Sequence, residues 1–565
     1  MRRNCIFFSR YAPLFPAIFF IVAYLLPLGG RIMIRPDEFR YAEIPREMLA
    51  TGAWMNPRLN GVKYFEKPTL GYQLIALSMR VFGENPFALR LPSALGTLLA
   101  AAMIYLVCRR EKLGRFWASA ATGIYFVTGL VYGIGTFAVL DAPFAAAVTV
   151  SVGALYLASR GEKKSEVVLW LTAAGVAAAV AFMLKGFLAL VLPVIVAAPF
   201  LIWRREWKKL LSLPWLPFLI VLLIAIPWAL AQHRAEPDFW NYFFVEEHWK
   251  RFTSSTYDRK PQPFWYFVPV LLIGILPAGL LWMVGAWGCT KEWLKRRFVQ
   301  YLLCWAIFPF LLFSASSCKL GTYILPCFPP LTMLLASALK NARRCRCDRY
   351  RSALRRLCAI FGCLIFAVGS AAVLVTAVTP FLPPKLAGVL FPVLVNPWSI
   401  LTVVSLLIFG VVQYRLSRGS DTALLWMFLT GLAPVACFGM LAVPVLWNRT
   451  PEQGLRACFS HFPDQPECVI AVERTCIAPT CWVLKRHDLL VAGKKLGELK
   501  YGIEKHPREY ANRHVPFKEF PELVKRHPGK VLYVTFNDLK EDPLPEYWPT
   551  PIECHTSDGV IVMRF

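Results

Sequence analysis

The chain has 565 residues, of which 57% are hydrophobic and only 17% charged, with a mean hydropathy of +0.48. Apolar runs recur until about residue 447, a composition that excludes a soluble multidomain, disordered, collagen-like or coiled-coil chain and indicates a polytopic membrane protein. The formal charge of +27 is not a nucleic-acid footprint. From residue 448 onward 17 Lys and Arg stand against 16 Asp and Glu, so nearly all the excess lies in the apolar part, where basic residues set membrane orientation.

Stretches long enough to cross about 30 Å of hydrocarbon fall near residues 12–30, 88–108, 116–133, 138–159, 167–184, 186–203, 210–231, 264–286, 298–315, 321–339, 357–379, 390–414 and 422–447. These thirteen predicted transmembrane helices form an α-helical domain over 1–447, followed by a small α/β domain over 448–565. The first stretch has the basic start and apolar core of a signal peptide. No small-x-small cleavage site follows it, so it reads as the first membrane helix.

Loop charges fix the direction. With Arg2, Arg3 and Arg10 in the cytoplasm, alternation also puts inside the loops carrying Arg109, Arg110, Lys112 and Arg115; Arg160, Lys163 and Lys164; Arg204, Arg205, Lys208 and Lys209; Lys291, Lys295, Arg296 and Arg297; the run from Lys340 to Arg356; and Arg415 with Arg418. Short loops on the other side hold only Lys185, Lys319 and Lys385. The positive-inside rule then places the N-terminus in the cytoplasm and the C-terminal domain outside.

Two outer loops are long, about 31–87 and 232–263, and loops of that length are usually functional. In the first, Tyr41, Ile44 and Met48 recur at helical spacing with Arg40, Glu43 and Glu47 between them, which predicts a short interfacial helix; a second runs from about Pro68 to Phe82. Asp37 follows the first span and Asp141 opens the fourth, so two carboxylates are expected at one membrane face. Each also suits a helix cap. Lys67, in Tyr64-Phe65-Glu66-Lys67-Pro68, is placed to hold a phosphate as a point charge, or to snorkel. Lys319 runs against the positive-inside trend, and Tyr323 alone suits an interfacial belt. Glu66 and His248 together supply only two metal ligands, so a metal has weak support. There is no P-loop, no G-x-G-x-x-G and no internal repeat.

Taken in order, Asp37 to Met48, Tyr64 to Pro68, Arg90-Leu91-Pro92-Ser93, Val139-Leu140-Asp141, Pro263-Phe264-Trp265-Tyr266 and Thr322-Tyr323-Ile324-Leu325-Pro326 resemble the bacterial lipid A 4-amino-4-deoxy-L-arabinose transferases. The resemblance is close over residues 36–340 and looser beyond. It implies a GT-C glycosyltransferase, related to the protein O-mannosyltransferases, that uses a sugar on undecaprenyl phosphate as donor and lipid A or another lipid or glycan as acceptor. It further implies that Asp37 is the catalytic or acceptor-positioning carboxylate, that Asp141 is the second acidic residue, and that Lys67 and Tyr323 bind the lipid phosphate.

The chemistry agrees with those roles. Negative charge grows on a departing polyprenyl phosphate, so Lys67 and Arg40 would stabilise the transition state more than the ground state. A carboxylate at the anomeric carbon would deprotonate a hydroxyl or orient an acceptor phosphate that is already ionised. Glu38, Tyr41, Tyr64, Glu66, Lys319 and His248 are candidates for the substrate pocket. No cofactor is expected beyond a possible non-catalytic divalent metal, no nucleic acid is a partner, and the enzyme is expected to be a monomer among membrane lipids. The alternatives are a GT-C transferase using mannose or another sugar with a protein or polysaccharide acceptor, and a transporter or flippase. A transporter would place its charges near the bilayer midplane between repeated halves, whereas these candidates cluster at one interface.

Beyond residue 448, Cys468 to Val472, Val531 to Phe536 and Val560 to Met563 predict buried strands, and Glu498 to Tyr510 predicts a surface helix. Cys458, Cys468, Cys476, Cys481 and Cys554, in an oxidising compartment, predict at least one disulfide, with Cys476 and Cys481 near enough for a short loop bridge. The topology carries its own prediction: a reporter active only in the periplasm should be active when fused after Phe565 and silent near Arg349. The reverse pattern would invert the orientation.

Overall fold

The computed structural model describes residues 11–250, 262–383, 397–415, 450–493, 496–536 and 543–565, together with the single positions 387, 395, 417 and 425. It divides into two units. A helical unit comprises Met1–Leu28 and Arg90–Ala442, and an α/β unit comprises Gly29–Leu89 and Val443–Phe565. The division therefore differs from the one expected at residue 448. The first long outer loop packs with the C-terminal part, through contacts that no local sequence pattern announces.

In the helical unit, eight helices among the described residues are long and apolar enough to cross a membrane, or ten if each of two bent pairs is one span. With the shorter Leu14–Leu25 and Leu188–Trp203 helices, they cover every predicted span up to residue 414. The last predicted span, 422–447, lies outside the described residues. Asp141–Arg160 is the most enclosed of these helices, whereas Trp207–Ala235 is mostly exposed and offers Leu219, Leu223, Ile226 and Leu230 as an apolar outer face. Small residues bring helices close, as expected where backbones must pack without a hydrophobic drive. A Cβ at Gly96, in Pro86–Arg110, would lie 2.8 Å from Pro143 Cα in Asp141–Arg160.

The bent pairs explain each other. Arg115–Val127 and Gly129–Gly135 meet at 68°, and Phe264–Gly274 and Ala278–Gly288 at 83°. Breaking a helix in an apolar setting frees backbone groups that must find partners inside the protein. Here Gly129 N–H donates to Leu276 O at 2.8 Å, so the break in one pair is satisfied by the break in the other. Only glycine fits, because a Cβ at Gly129 would stand 2.9 Å from that same oxygen.

The α/β unit contains the Asp37–Thr51 helix, a hairpin of β1 (Arg58–Leu59) and β2 (Val62–Lys63), and the Leu70–Phe82 helix, which buries Tyr72, Ile75, Ala76 and Met79 as one stripe. Its six-stranded sheet has the order β5-β4-β3-β6-β8-β7. β3 (Val469–Glu473) lies between β4 (Leu490–Ala492) and β6 (Val531–Thr535), parallel to both, and β5 (His514–Val515) extends the parallel side. β8 (Val560–Arg564) runs antiparallel between β6 and β7 (Glu553–Ser557). The central strands are continuous apolar runs buried on both faces, as in parallel sheets generally. One face packs Phe520, Tyr533 and Phe565 around Trp548, whose indole stacks on Phe520 at 3.8 Å and donates to Phe517 O.

The expected disulfide is absent. Cys458, Cys468, Cys476, Cys481 and Cys554 are all free, and the first four are buried. Cys476 lies beside Thr475 at the start of the Ile477–Leu484 helix, while Cys481 points to Asn60, so the two thiols have separate partners. Burial pushes the Cys458 thiol up to about 11 and those of Cys476 and Cys481 well above their ordinary value. A buried thiol with little thiolate character reacts poorly even in an oxidising compartment.

The paired helix breaks predict that Gly129→Ala lowers the melting temperature of the detergent-solubilised protein. Overpacking of this kind costs about 1–3 kcal/mol. Gly133→Ala, where a Cβ would meet nothing within 4 Å, should be close to neutral. Equal melting of the two variants would contradict the pairing.

Candidate active site

In the α/β unit, the Asp37–Thr51 helix begins after Pro36 and ends at Gly52, whose φ of 71° lets its N–H return to Met48 O. Asp37 is the first helical residue and Pro36 makes no side-chain cap, so the carboxylate does not play the expected capping part. It instead accepts from Arg40 one turn on and remains 42% exposed, open to a reactant. Arg40 is the hub of this end of the helix. It also donates to Glu498 at 2.8 Å, lies 4.0 Å from Glu66, and faces the Tyr41 ring at 5.5 Å. Three carboxylates thus share one guanidinium, and that engagement competes with the expected binding of a donor phosphate by Arg40.

The other pocket candidates of this unit separate into two kinds. Glu38 is shut inside, where it accepts from Arg31 at 3.1 Å and from Ile34 N–H at 3.0 Å, so it holds the helix start and does not line an open pocket. Tyr64 donates to Glu66 at 2.8 Å and meets Tyr72 edge-on; Tyr72 in turn stacks on Tyr41 at 5.8 Å. Burial holds the Tyr64 phenol well above its ordinary range, so it acts as a neutral donor that orients Glu66. Lys67 is half-buried on the segment that follows β2.

Further along the helix, Arg46 grips Glu43 with both arms at 2.6 and 2.8 Å, and Glu47 accepts from Gly61 N–H at 2.8 Å. Burial pushes Glu43 up to about 8 and Glu47 up to about 7, against 4.5 for a free glutamate. Their folded values lie above the unfolded one, so the folded unit holds extra protons between the two. Its stability therefore falls as pH rises from about 4.5 toward those values.

In the helical unit, Asp141 opens its helix after Leu140, again with no capping bond from the preceding residue. It pairs with Lys185 at 2.7 Å, both side chains being largely buried. The Lys185 ammonium lies 5.2 Å from the Phe144 ring and 5.4 Å from the Tyr323 ring, which brings Asp141, Lys185 and Tyr323 together. Ser93 donates to Val139 O at 3.0 Å and Arg90 to Leu28 O at 2.6 Å, so the Arg90 to Ser93 motif braces the turn before Asp141 and the end of the first helix. Lys319 is spent on backbone: it is buried and donates to the carbonyls of Ser316 and Gln262, the latter at 2.9 Å. It ties two segments together instead of lining a pocket.

Sequence reasoning missed two partners. Lys185 was detectable as an outer-loop cation against the positive-inside trend, the same signal that singled out Lys319. Glu498 had no such signal, being 458 residues from Arg40. In the second outer loop, Asn241–Lys250 is helical and Lys250 pairs with Glu246, while the side chain of His248 lies outside the described residues. No group of three His, Cys, Asp or Glu suited to a metal occurs among the described residues.

The chain thus combines a many-spanned helical unit and a small α/β unit, each with a carboxylate at a helix start paired with a cation. Residues 11–243 match the family model for dolichyl-phosphate-mannose-protein mannosyltransferase. The chain is 34% identical to undecaprenyl phosphate-alpha-4-amino-4-deoxy-L-arabinose arabinosyl transferase 2 of Proteus mirabilis (strain HI4320), over 99% of this chain and 98% of that protein. It is 35% identical to the arabinosyl transferase of Edwardsiella ictaluri (strain 93-146), over 90% of each. Its fold matches the crystal structure of ArnT from Cupriavidus metallidurans bound to undecaprenyl phosphate, with a TM-score of 0.77, 24% identity and 98% of both chains covered. The chain belongs to the undecaprenyl phosphate-alpha-4-amino-4-deoxy-L-arabinose arabinosyl transferase family.

The Asp141–Lys185 pair yields a prediction. Asp141→Asn and Lys185→Met should each destabilise the protein by stranding the other charge, and the double variant should be more stable than the sum of the two losses implies, with a coupling of about 1 kcal/mol or more. Thermal unfolding in detergent checks this. Additive losses would mean that the two groups do not pair.

Proposed function

We propose that this chain moves 4-amino-4-deoxy-L-arabinose from undecaprenyl phosphate to lipid A on the periplasmic face of the inner membrane, with inversion at the anomeric carbon, as a monomer and without a cofactor. The observation that carries this reading is end-to-end likeness to transferases named for that donor, joined to the motif residues Asp37, Lys67, Asp141 and Tyr323. In the reaction, an acceptor oxygen forms the new bond to the anomeric carbon while the bond to the donor phosphate oxygen breaks, releasing undecaprenyl phosphate. In the α/β unit, Lys67 holds that phosphate and offsets the charge that grows on it.

Asp37 orients the acceptor, or takes its proton when the acceptor is a hydroxyl. Its exposure and its pairing with Arg40 support that role, since the carboxylate is both held and reachable. Asp141 serves as the second acidic group, positioned by Lys185. The match to the mannosyltransferase model over residues 11–243 supports a shared polyprenyl-phosphate chemistry and leaves a protein acceptor as the competing outcome of a transfer assay.

The test is sugar transfer by membranes with matched expression. Asp37→Asn should lower transfer by roughly a hundred- to ten-thousand-fold, the usual worth of a general base. A structural part would cost far less, because Asp37 makes no cap and Arg40 keeps Glu498 as a partner when the Asp37 charge is removed. Lys67→Ala should also impair turnover, with Lys67→Arg restoring part of it. Near-normal transfer by Asp37→Asn would leave Asp141 as the essential carboxylate.

A further inference from the structure

The residues of the α/β unit assigned to the reaction sit on two pieces of the first outer loop, the start of the Asp37–Thr51 helix and the segment that leaves β2. The second piece is not fixed by its own local structure. A two-by-two-residue hairpin is too short to be stable alone, yet its tip is among the most enclosed sites in the unit. Asn60 is fully buried, with φ of 55°, and Gly61 follows with φ of 74°, the pair of left-handed residues that a tight hairpin turn requires.

The Asn60 side chain binds the C-terminal part of the chain as a strand backbone would. Its Nδ2 donates to Leu489 O at 2.8 Å, and its Oδ1 accepts from Leu489 N–H at 2.9 Å and from the Cys481 thiol at 3.5 Å. A Cβ at Gly61 would come within 2.9 Å of His487 O. The same tip is gripped from the other side by the helix: Glu47 Oε1 accepts from Gly61 N–H, while Glu47 Oε2 is buried with no hydrogen-bond partner. That arrangement suits a neutral carboxyl better than a carboxylate, because a buried charge without a partner is costly. β2 then passes straight to Tyr64, Glu66 and Lys67.

We propose that Asn60 and Glu47 are positioning residues of the transferase: by locking the hairpin tip between Leu489 and the Asp37–Thr51 helix, they set the placement of Asp37 and Arg40 relative to Glu66 and Lys67. The role of the C-terminal domain in this reaction is thereby to hold the tip. The inference rests on the proposed transfer reaction for its consequence, but the lock itself is observable without it. Neither residue touches substrate. They act through the distance between the two pieces, now fixed at 4.0 Å from Arg40 to Glu66.

Asn60→Gly keeps the left-handed turn and removes only the side-chain lock. In the purified full-length protein it should speed amide hydrogen exchange across residues 58–67 while the strands β3 and β6 stay protected. In transfer from the undecaprenyl-phosphate sugar to lipid A it should lower kcat about ten- to a hundredfold, as a misplacement near 1 Å does, with a smaller change in the donor KM. Glu47→Gln, which retains an acceptor for Gly61 N–H and is neutral, should keep both exchange and kcat near the parent, whereas Glu47→Ala should resemble Asn60→Gly. This contrast stands even if Asn60→Gly fails to fold. Unchanged exchange at 58–67, or faster exchange with kcat within about twofold of the parent, would overturn the positioning role. A parent protein that transfers no aminoarabinose, with the exchange changes still present, would count against the proposed reaction and not against the lock.

Discussion

The pair of hydrogen bonds between the Asn60 side chain and the backbone of Leu489, one donated by each, is the constraint on which the α/β unit depends. They join two stretches of chain separated by 429 residues and, among the described residues, by eight membrane-length helices, or ten if each bent pair is one span. Around them, Lys485 pairs with Glu84 and Arg40 with Glu498, so the first outer loop and the C-terminal part fold as one body. Buried hydrogen bonds of this kind contribute only about 1 kcal/mol each when made. Leaving the Leu489 and Asn60 groups unpaired in the same place would cost more, and this asymmetry is what makes the register of the loop specific.

In the helical unit the corresponding constraint is the satisfaction of broken backbone. Gly129 and Leu276 supply each other at the two helix breaks, and Ser93 and Arg90 secure the turn before Asp141 and the end of the first helix. A helix that starts at Asp141 then presents its carboxylate to Lys185 without help from a cap. The acidic groups of both units thus stand at helix starts, where the macrodipole favours negative charge. Each is also engaged by a cation, so each is held in place.

Much of this was legible in the sequence, for physical reasons. Apolar run length locates membrane helices because the bilayer sets the length. The strands β3, β6 and β8 were readable as continuous apolar runs. β4 and β5 were not, since three and two residues carry no period, and β7 alternates at the sheet edge with exposed Cys554 and Thr556. The division into units was hidden because it rests on single side chains such as Asn60 and Glu498, whose partners lie hundreds of residues away. The disulfide expectation failed for a related reason: cysteine count and compartment are visible in a sequence, but the burial that gives Cys476 and Cys481 other partners is not. Lys319 and Lys185 shared one signal, and only packing distinguishes the lysine bound to carbonyls from the lysine bound to Asp141.

The catalytic reading joins that frame to a chemistry in which little bond-making is asked of the protein beyond orientation and charge. A polyprenyl phosphate leaves readily once its negative charge is met. The most direct measurement is mass spectrometry of lipid A and of polyprenyl lipids from cells with and without this chain. Lipid A carrying an added aminopentose only when the chain is present, with undecaprenyl-phosphate aminopentose accumulating when it is absent, is the expected result. Unchanged lipid A, with the sugar appearing instead on protein or polysaccharide, would contradict it.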